Sequence, residues 1–424
     1  MRLDIASYRR LVLGDRELAA GLGQATLRVR IGPSDQAYDI TVRDGRPESV
    51  EPAAGPVDLV IRAPDRFWVA TSVPVPPYEV CSLTSGGAEL IGDVTTVVAP
   101  YYPAWERLLV LLRTAVCGPR DPPPAPVQHR DTDDAVGRYI YVRNGDLEAR
   151  MYYEEAGAGQ VPLILHATAG ADSRQWRHLL AYPPLRSRFR MIAYDLPAHG
   201  KSLPATGRRW WEETYRPSKE VPMGWAVGIT EGLGLDRPVF LGCSVGGQLA
   251  LDLAVHHAHW FRAFVSLNAW SSPSPGMAAF DNSPFRDPAI STEFYCGRVL
   301  ATTSPMAPEE ARQETYWIYR SNAPGVYAGD NDYFMNAHDL SEDGRRIDTT
   351  RTPLFALAGE FDRSSLSADH GAPAVPTHVP GAVYRRLPGL GHFAPSDDPQ
   401  RFCEAITPVL DEVLTACGDT AGPA

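Results

Sequence analysis

The sequence predicts an α/β protein in which a smaller α+β unit precedes a doubly wound, mostly parallel sheet. From residue 138 onward, short apolar runs alternate with segments of helical period, as they do in successive βαβ units. Residues 24–31 and 37–43 instead alternate apolar and polar side chains, which is typical of a hairpin with one exposed face. A proline-rich run separates the two patterns, so we expect two folded units.

The proline-rich run occupies residues 117–127, where repeated prolines remove backbone donors and favour an extended spacer. The chain of 424 residues is also longer than an ordinary domain of roughly 100–200 residues. We therefore predict an N-terminal α+β domain at 1–117, a linker at 118–136 and a second domain at 137–424.

The N-terminal unit carries further element patterns: a strand at 57–62, a helix at 64–71 and an apolar helix near 104–114. The strand, the aromatic pair Phe67 and Trp68, and the segment 87–93 together resemble the sterol-carrier fold. The resemblance implies lipid binding. The alternative is an appendage that acts as a cap or in oligomerisation, and in the latter case the protein forms a homo-oligomer through this domain.

The second domain is predicted to contain eight strands, of which the first two form an opening antiparallel pair. They are placed at residues 138–143, 148–154, 161–166, 189–194, 239–242, 262–267, 353–358 and 382–387. A segment rich in proline, serine and aromatic residues interrupts the alternation after the sixth strand. We predict that this segment, at about 271–349, forms a cap over the sheet.

Composition and charge exclude several classes of protein. Hydrophobic residues make up 44% of the chain and charged residues 21%, which is typical of a globular protein. The net charge of −11 repels polyphosphate, and no basic run with interleaved aromatic residues is present. We expect no nucleic-acid partner.

The chain begins without a secretion-signal pattern and lacks an apolar stretch of the roughly 20 residues that a membrane helix needs. Its six cysteines are scattered, without a C-x-x-C pair. We expect a cytoplasmic protein that has no membrane span and keeps its cysteines as thiols.

A candidate nucleophile lies in residues 239–251, where an apolar strand leads through Gly242-Cys-Ser244-Val-Gly246 into a helical run. A serine between a strand and a helix can adopt a strained turn that exposes its hydroxyl above the sheet. Glycines two residues away on each side are needed because a Cβ there would meet the neighbouring backbone. Ser244 is the predicted nucleophile.

A serine hydroxyl needs a base, and the base needs a third group that holds its tautomer. His392 follows the last strand in a glycine-flanked loop and is the predicted base. Asp362, after the seventh strand, is the predicted acid, with Glu360 as its nearest rival. The end of the sixth strand carries Asn268, which cannot ionise.

Negative charge that develops on a substrate oxygen requires preorganised N–H donors. We predict one from Val245, directly after the nucleophile. The second is predicted from the loop 165–170, with Thr168 as the first choice and Ala167 as the next.

These segments, together with residues 194–202 (Tyr-Asp-Leu-Pro-Ala-His-Gly-Lys-Ser), resemble the α/β-hydrolase superfamily. Ala167 departs from its His-Gly-x-x-Gly loop, in which the second residue is normally glycine. The resemblance implies an α/β-hydrolase fold and a serine hydrolase that needs no cofactor. The histidines at 256, 257 and 259 have no adjacent cysteine or carboxylate set, so we expect no metal site.

Aromatic residues are dense in the cap, and some of them are predicted to line an apolar pocket for a hydrophobic small molecule. The predicted pocket residues are Trp176, Tyr295, Trp317 and Phe334. They indicate a bulky hydrophobic ester or lactone as the substrate.

An extra N-terminal domain before a capped hydrolase is similar to the layout of lactonases that open the macrocycle of zearalenone. Two alternatives remain. One is a C–C bond hydrolase of meta-cleavage products, and the other is a non-catalytic ligand or lipid-binding protein built on the same scaffold.

Overall fold

The computed structural model describes residues 4–119, 133–273, 282–323, 325–336 and 338–418. Most of the predicted linker, residues 120–132, lies outside the described residues. So do parts of the predicted cap, at 274–281, 324 and 337. The domain boundaries and the sterol-carrier resemblance stay predictions.

The C-terminal part of the chain forms one eight-stranded sheet, as predicted. Its strands are β6 (Val136–Asn144), β7 (Leu147–Ala156), β8 (Val161–His166), β9 (Phe189–Tyr194), β10 (Val239–Cys243), β11 (Ala263–Leu267), β12 (Leu354–Gly359) and β13 (Val383–Leu387). Their spatial order is β13-β12-β11-β10-β8-β9-β7-β6. β6 and β7 pair antiparallel, β7 joins β9 antiparallel, and the remaining neighbours are parallel. The predicted α/β-hydrolase fold, with its mostly parallel sheet, is confirmed.

Strand order reverses between β8 and β10, since the chain continues from β8 toward β9 on one side and from β10 toward β11 on the other. Loops that leave the carboxyl ends of two such strands diverge and open a crevice, where open α/β sheets bind ligands. The loop after β8 and the turn at Ser244 meet at this crevice.

Alternate strand residues pack on opposite faces of the sheet. On one face, Ile164, Phe240 and Phe264 pack against helices α7 (Glu220–Gly232) and α8 (Val245–His256). Residues one position further along these strands, such as Leu165, Leu241 and Val265, belong to the core on the other face, together with the C-terminal helix. Both faces are covered, which accounts for the nearly continuous apolar runs in these strands.

The remaining helices of this part are short, belong to the segment between β11 and β12, or, in the case of the 18-residue C-terminal helix, follow the last strand. They are α5 (Arg177–Leu180), α6 (Pro183–Arg186), α9 (Ser291–Thr302), α10 (Glu309–Arg320), α11 (Val326–Asn336), α12 (Leu340–Asp343), α13 (Val375–His378), α14 (Ala394–Asp397) and α15 (Pro399–Ala416). The segment predicted as a cap is therefore helical where it is described.

A separate five-stranded sheet forms near the N-terminus, in the order β3-β2-β1-β4-β5. Its elements are α1 (Ile5–Gly14), α2 (Arg16–Leu22), β1 (Leu27–Ile31), β2 (Tyr38–Arg43), β3 (Arg46–Pro52), β4 (Leu59–Arg62), α3 (Asp65–Thr71), β5 (Glu89–Ile91) and α4 (Tyr102–Cys117). We did not predict α1, α2, β3 or β5. Asp4 and Asp15 cap α1 and α2 by accepting hydrogen bonds from main-chain N–H groups. An aspartate at each of these positions is the local sequence signal from which the two helix starts could have been predicted.

The N-terminal unit packs against the helical segment through α4 and α9. Gly297 allows close approach, because a Cβ there would lie 2.6 Å from Cδ1 of Tyr102. The Tyr102 ring also packs edge-on against Phe294, with centroids 5.6 Å apart. No helix among the described residues is long and apolar enough to cross a membrane.

Candidate active site

Ser244 lies on a sharp turn between β10 and α8, with φ of +56°. Such a conformation is strained for a residue with a side chain and persists only where the surroundings impose it. Here the main-chain N–H of Ser244 donates to the carbonyl of Leu267 at 2.7 Å, which anchors the turn to β11.

The glycines around Ser244 are required by close backbone contacts. A Cβ on Gly242 would lie 2.0 Å from the carbonyl oxygen of Gly246, and one on Gly246 would lie 2.6 Å from that of His166. Real Cβ contacts do not reach such distances, so only glycine fits either position. The G-x-S-x-G spacing is therefore the steric condition for this turn.

His392 meets Ser244 although 148 positions separate them in the chain. The Ser244 hydroxyl is 2.8 Å from Nε2 of His392 and can donate a hydrogen bond to it. Ser244 is 4% exposed and the His392 side chain 12%. The pair is thus largely shielded from water.

Asp362 lies on the other side of the imidazole, where Nδ1 of His392 donates to its Oδ2 at 2.8 Å. Its Oδ1 accepts from the main-chain N–H of Ser364 at 3.1 Å and from the Ser364 hydroxyl at 2.6 Å, and Ser365 donates to Oδ2. Burial raises the pKa of Asp362, but His392 and these hydroxyl donors outweigh burial and hold the pKa below its usual value. The structure brings Ser244, His392 and Asp362 into one hydrogen-bonded row.

Glu360, the rival acid, points elsewhere. Its carboxylate accepts the main-chain N–H of Gly389 at 2.9 Å and lies 3.5 Å from the guanidinium of Arg386. Glu360 therefore anchors the start of the histidine loop, and Asp362 is the carboxylate that contacts His392.

Asn268 braces the same loop from β11, a role that the sequence did not reveal. Its side-chain amide donates to the carbonyls of Gly391 at 3.0 Å and His392 at 2.9 Å, and its oxygen accepts from Gly359 at 2.8 Å. Asn268 is fully buried and has φ of +56°. Asn268 therefore joins the histidine loop to the end of β12, the strand that precedes Asp362.

The predicted oxyanion donors differ in their availability. The N–H of Thr168 donates to Oε1 of Gln175 at 2.9 Å, so this donor is occupied. No residue in the described part of the chain accepts from the N–H of Val245 or of Ala167. We predicted Thr168 as the first choice for the loop donor. In this conformation its N–H is occupied, so Ala167 is the available donor.

A buried carboxylate on α11 joins the helical segment between β11 and β12 to the loops beside the site. Asp330 is 3% exposed and accepts from the N–H of Gly170 at 2.7 Å, from Nε2 of His199 at 2.8 Å and from the Tyr215 hydroxyl at 3.2 Å. Nδ1 of His199 also faces the carbonyl of Pro197 at 3.1 Å. Burial lowers the pKa of His199, but Asp330 and this carbonyl outweigh burial and raise it.

A cavity of about 700 Å³ opens beside the site, and we call it the α7 cavity. It is bounded by the segment 196–217, by Val221 and Trp225 of α7, and by Val245 and Leu249 of α8, with α11 completing the wall. Val245 directly follows Ser244, but the Ser244 and His392 side chains are not part of the wall.

The predicted pocket residues do not line the α7 cavity. Trp176 is fully buried on the other face of the sheet, where its ring packs against Phe402 with centroids 6.1 Å apart. Trp317 is 65% exposed on α10. Both placements correct the sequence prediction, since one aromatic residue packs a core and the other faces solvent.

Tyr295 and Phe334 pack inside the helical segment. Tyr295 is fully buried and donates to the carbonyl of Tyr319 at 2.9 Å, so it belongs to the core of this segment. Phe334 packs on Trp270, with ring centroids 4.1 Å apart, in a cluster that includes Val245. Of the four predicted residues, Phe334 is the one in the Val245 cluster.

No group of three or more histidine, cysteine or acidic side chains in the described ranges is arranged to hold a metal ion. None of the six cysteines, all of which lie in those ranges, forms a disulfide.

Comparison with known proteins agrees with the observed fold. Residues 161–295 match the family described as alpha/beta hydrolase fold. A 2-hydroxy-6-oxononadienedioate/2-hydroxy-6-oxononatrienedioate hydrolase of Paraburkholderia phymatum is 22% identical over 295 residues, which is 66% of this chain and 98% of the relative.

Solved structures show the same fold. An esterase from Thermogutta terrifontis aligns with a TM-score of 0.55 and 19% identity, over 65% of this chain and 99% of its own. The enol-lactonase from Burkholderia xenovorans aligns with a TM-score of 0.53 and 19% identity, over 65% of this chain and all of its own. The chain is a hydrolytic enzyme with the α/β-hydrolase fold, and its relatives support its placement in that superfamily.

Proposed function

We propose that this enzyme hydrolyses bulky, hydrophobic carboxylic esters or lactones through an acyl-Ser244 intermediate. The observation that supports this proposal is the unbroken row of hydrogen bonds from Asp362 through His392 to Ser244. Both hydrogen bonds in the row are 2.8 Å long, which is within the reach required for proton transfer.

The chemistry follows from that row. His392 Nε2 takes the proton of Ser244 while Oγ attacks the substrate carbonyl, and the carbonyl oxygen gains negative charge that the N–H groups of Val245 and Ala167 stabilise. Protonated His392 then gives its proton to the departing alkoxide, which leaves Ser244 acylated. A water molecule, deprotonated by His392, attacks the acyl group; Ser244 recovers its proton and the carboxylic acid departs.

Asp362 keeps the proton of His392 on Nδ1 and leaves Nε2 free to act as a base. It also stabilises the imidazolium that forms when His392 accepts the serine proton. The lowered pKa of Asp362 favours the ionised form that this role requires.

A neutral substrate is favoured by the ion pairs around the α7 cavity. Each arginine in its described wall has a carboxylate partner: Arg208 pairs with Glu213, and Arg216 and Arg286 pair with Asp332. A substrate with carboxylate groups would have to break these pairs. The C–C bond hydrolase named among the relatives acts, by its printed name, on a dioate, so this observation favours an ester or lactone over that alternative.

The first specific substrate to test is zearalenone, a macrocyclic lactone fused to a phenolic ring, because the overall layout of the chain resembles lactonases that open it. The test compares hydrolysis of zearalenone, p-nitrophenyl esters and a vinylogous diketone acid by the purified protein. We expect ester or lactone hydrolysis that falls by at least about 10⁴-fold in Ser244→Ala.

The control for this test is Ser283→Ala, which removes a serine hydroxyl from the helical segment and should leave hydrolysis at its original rate. Activity confined to the diketone would favour the C–C hydrolase instead. Ligand binding without turnover of any of these compounds would support the non-catalytic alternative.

A further inference from the structure

The α7 cavity combines a mostly apolar wall with one buried histidine, His166. We propose that it holds the ring-bearing part of the substrate, and that a hydroxyl on that ring is recognised by His166. The inference rests on the proposed ester or lactone hydrolysis at Ser244 and names the part of the substrate that the enzyme selects.

The walls of the cavity suit an aromatic ring. Its volume of about 700 Å³ falls in the range of roughly 300–1,000 Å³ that is typical of small-molecule sites. Trp225 and Leu249 present apolar surface inside it. Trp210 and Trp211 lie in its wall with 55% and 64% of their surfaces exposed. Exposed tryptophans beside an apolar cavity give an entering ring a surface to contact.

His166 supplies a polar group in this apolar wall. It ends β8, is 4% exposed, and its Nδ1 is buried without a hydrogen-bond partner among the described residues. Burial lowers the pKa of His166 to about 3, so the imidazole is neutral near pH 7 and has one donor and one acceptor nitrogen. A hydroxyl can donate or accept, and it therefore satisfies either tautomer.

The cavity adjoins the reacting atoms through the main chain. Val245 lies in its wall and immediately follows Ser244, and His166 immediately precedes Ala167, the other proposed oxyanion donor. Tyr333 of α11 lines the cavity and belongs to the cluster that packs on Val245. A substrate with its ring in the cavity can thus reach Ser244 past Val245, with its carbonyl near both donors.

The experiment compares two esters in the full-length enzyme, ethyl acetate without a ring and ethyl 6-hydroxy-2-naphthylacetate with one. Ala205 is partly buried in the cavity wall, and Ala205→Trp fills the space without altering the triad. We expect kcat/KM for the naphthyl ester to fall about tenfold more than for ethyl acetate, mainly through KM. The matched control is Ala53→Trp at an exposed position of the N-terminal unit, which should leave the ratio of the two esters unchanged.

A second variant tests the hydroxyl. His166→Phe keeps a ring to pack near Phe240 and Tyr194 but removes both ring nitrogens. We expect it to abolish a preference of about fivefold or more for the hydroxynaphthyl ester over its methyl ether. Equal rates for these two esters in the unaltered enzyme would contradict recognition by His166.

Folding of each variant is checked by circular dichroism and thermal unfolding. If Ala205→Trp does not fold, Val221→Phe fills the cavity from α7 instead. An unchanged ester ratio in a folded filling variant would overturn the cavity assignment while Ser244-dependent hydrolysis persisted. Loss of that dependence would overturn the proposed function, and binding of 2-naphthol, measured by calorimetry, would still report on the cavity alone.

Discussion

Buried carboxylates in the two parts of the molecule have opposite surroundings. In the α/β part, Asp362 is buried, but His392 and two serines donate to it and hold its pKa low. In the N-terminal unit, Glu106 is also buried, and burial raises its pKa to about 8 although Leu83 donates a main-chain bond. Burial alone favours the neutral acid; Asp362 stays ionised because His392 and two serine hydroxyls donate to it.

The same contrast recurs within the α/β part. Asp397 is buried close to the histidine loop, and burial raises its pKa to about 7 although the N–H of Ser304 donates to it at 2.8 Å. The chemistry therefore depends on the partners of a carboxylate and not on its depth. The following variants test this comparison.

The largest effect is expected for Asp362→Asn, which removes the charge but keeps the size. An amide at this position can favour the wrong tautomer of His392, so we expect kcat to fall by about 10⁴-fold. The fall in kcat is measured by steady-state kinetics on the ester that the unaltered enzyme hydrolyses fastest. Glu360→Gln is the matched control, because an amide oxygen still accepts from Gly389; a comparable loss there would contradict the assignment of Asp362.

Asn268→Ala is expected to have the next largest effect. The change removes one hydrogen bond each from the N–H of Gly359 and from the carbonyls of Gly391 and His392, at a cost of about 1–3 kcal/mol in the free energy of unfolding. A small shift of His392 should lower kcat by about 100-fold. Urea unfolding and kinetics measure the two effects, and an unchanged kcat would show that Glu360 and the surrounding backbone hold the loop without Asn268.

Asp330→Asn tests the buried pair of Asp330 and His199, and its effect on stability should depend on pH. The raised pKa of His199 means that its pair with Asp330 stabilises the fold fully below the unfolded histidine pKa and is lost as pH rises through the folded value. We therefore expect a loss of about 2 kcal/mol at about pH 6 and a smaller loss at about pH 9.

Thermal or urea unfolding at both pH values measures the loss in Asp330→Asn. The control, Asp332→Asn, removes ion pairs to Arg216 and Arg286 and should show no such pH dependence. A loss in Asp330→Asn that does not change with pH would indicate that His199 stays neutral.

Glu106→Gln is expected to leave activity unaltered and to change stability alone. Because the pKa of Glu106 is raised, the unaltered protein loses stability as pH rises from about 4.5 through about 8, whereas glutamine does not titrate. The variant should gain on the order of 1–3 kcal/mol relative to the unaltered protein between about pH 5 and pH 9. The exposed Glu79→Gln is the control, and equal pH profiles for both variants would contradict the contrast with Asp362.

Much of the α/β part could be predicted because its signals are local. Strand positions follow from apolar runs, and each of the eight observed strands overlaps its predicted range. The turn at Ser244 is encoded by glycines two residues away on each side. The N-terminal unit was harder to predict. Its strand β5, for example, is only three residues long, and neither its first nor its last residue is buried.

The sequence by itself determined the positions of the strands along the chain, the turn that presents Ser244 and the two loops that carry Asp362 and His392. Only the tertiary structure decided that Asp362 and not Glu360 meets His392, that Asn268 and Asp330 brace the loops, and that Trp176 lies in a core. The physical reason is that periodicity shows which face of an element is buried, whereas the choice of partner depends on contacts between residues far apart in the chain.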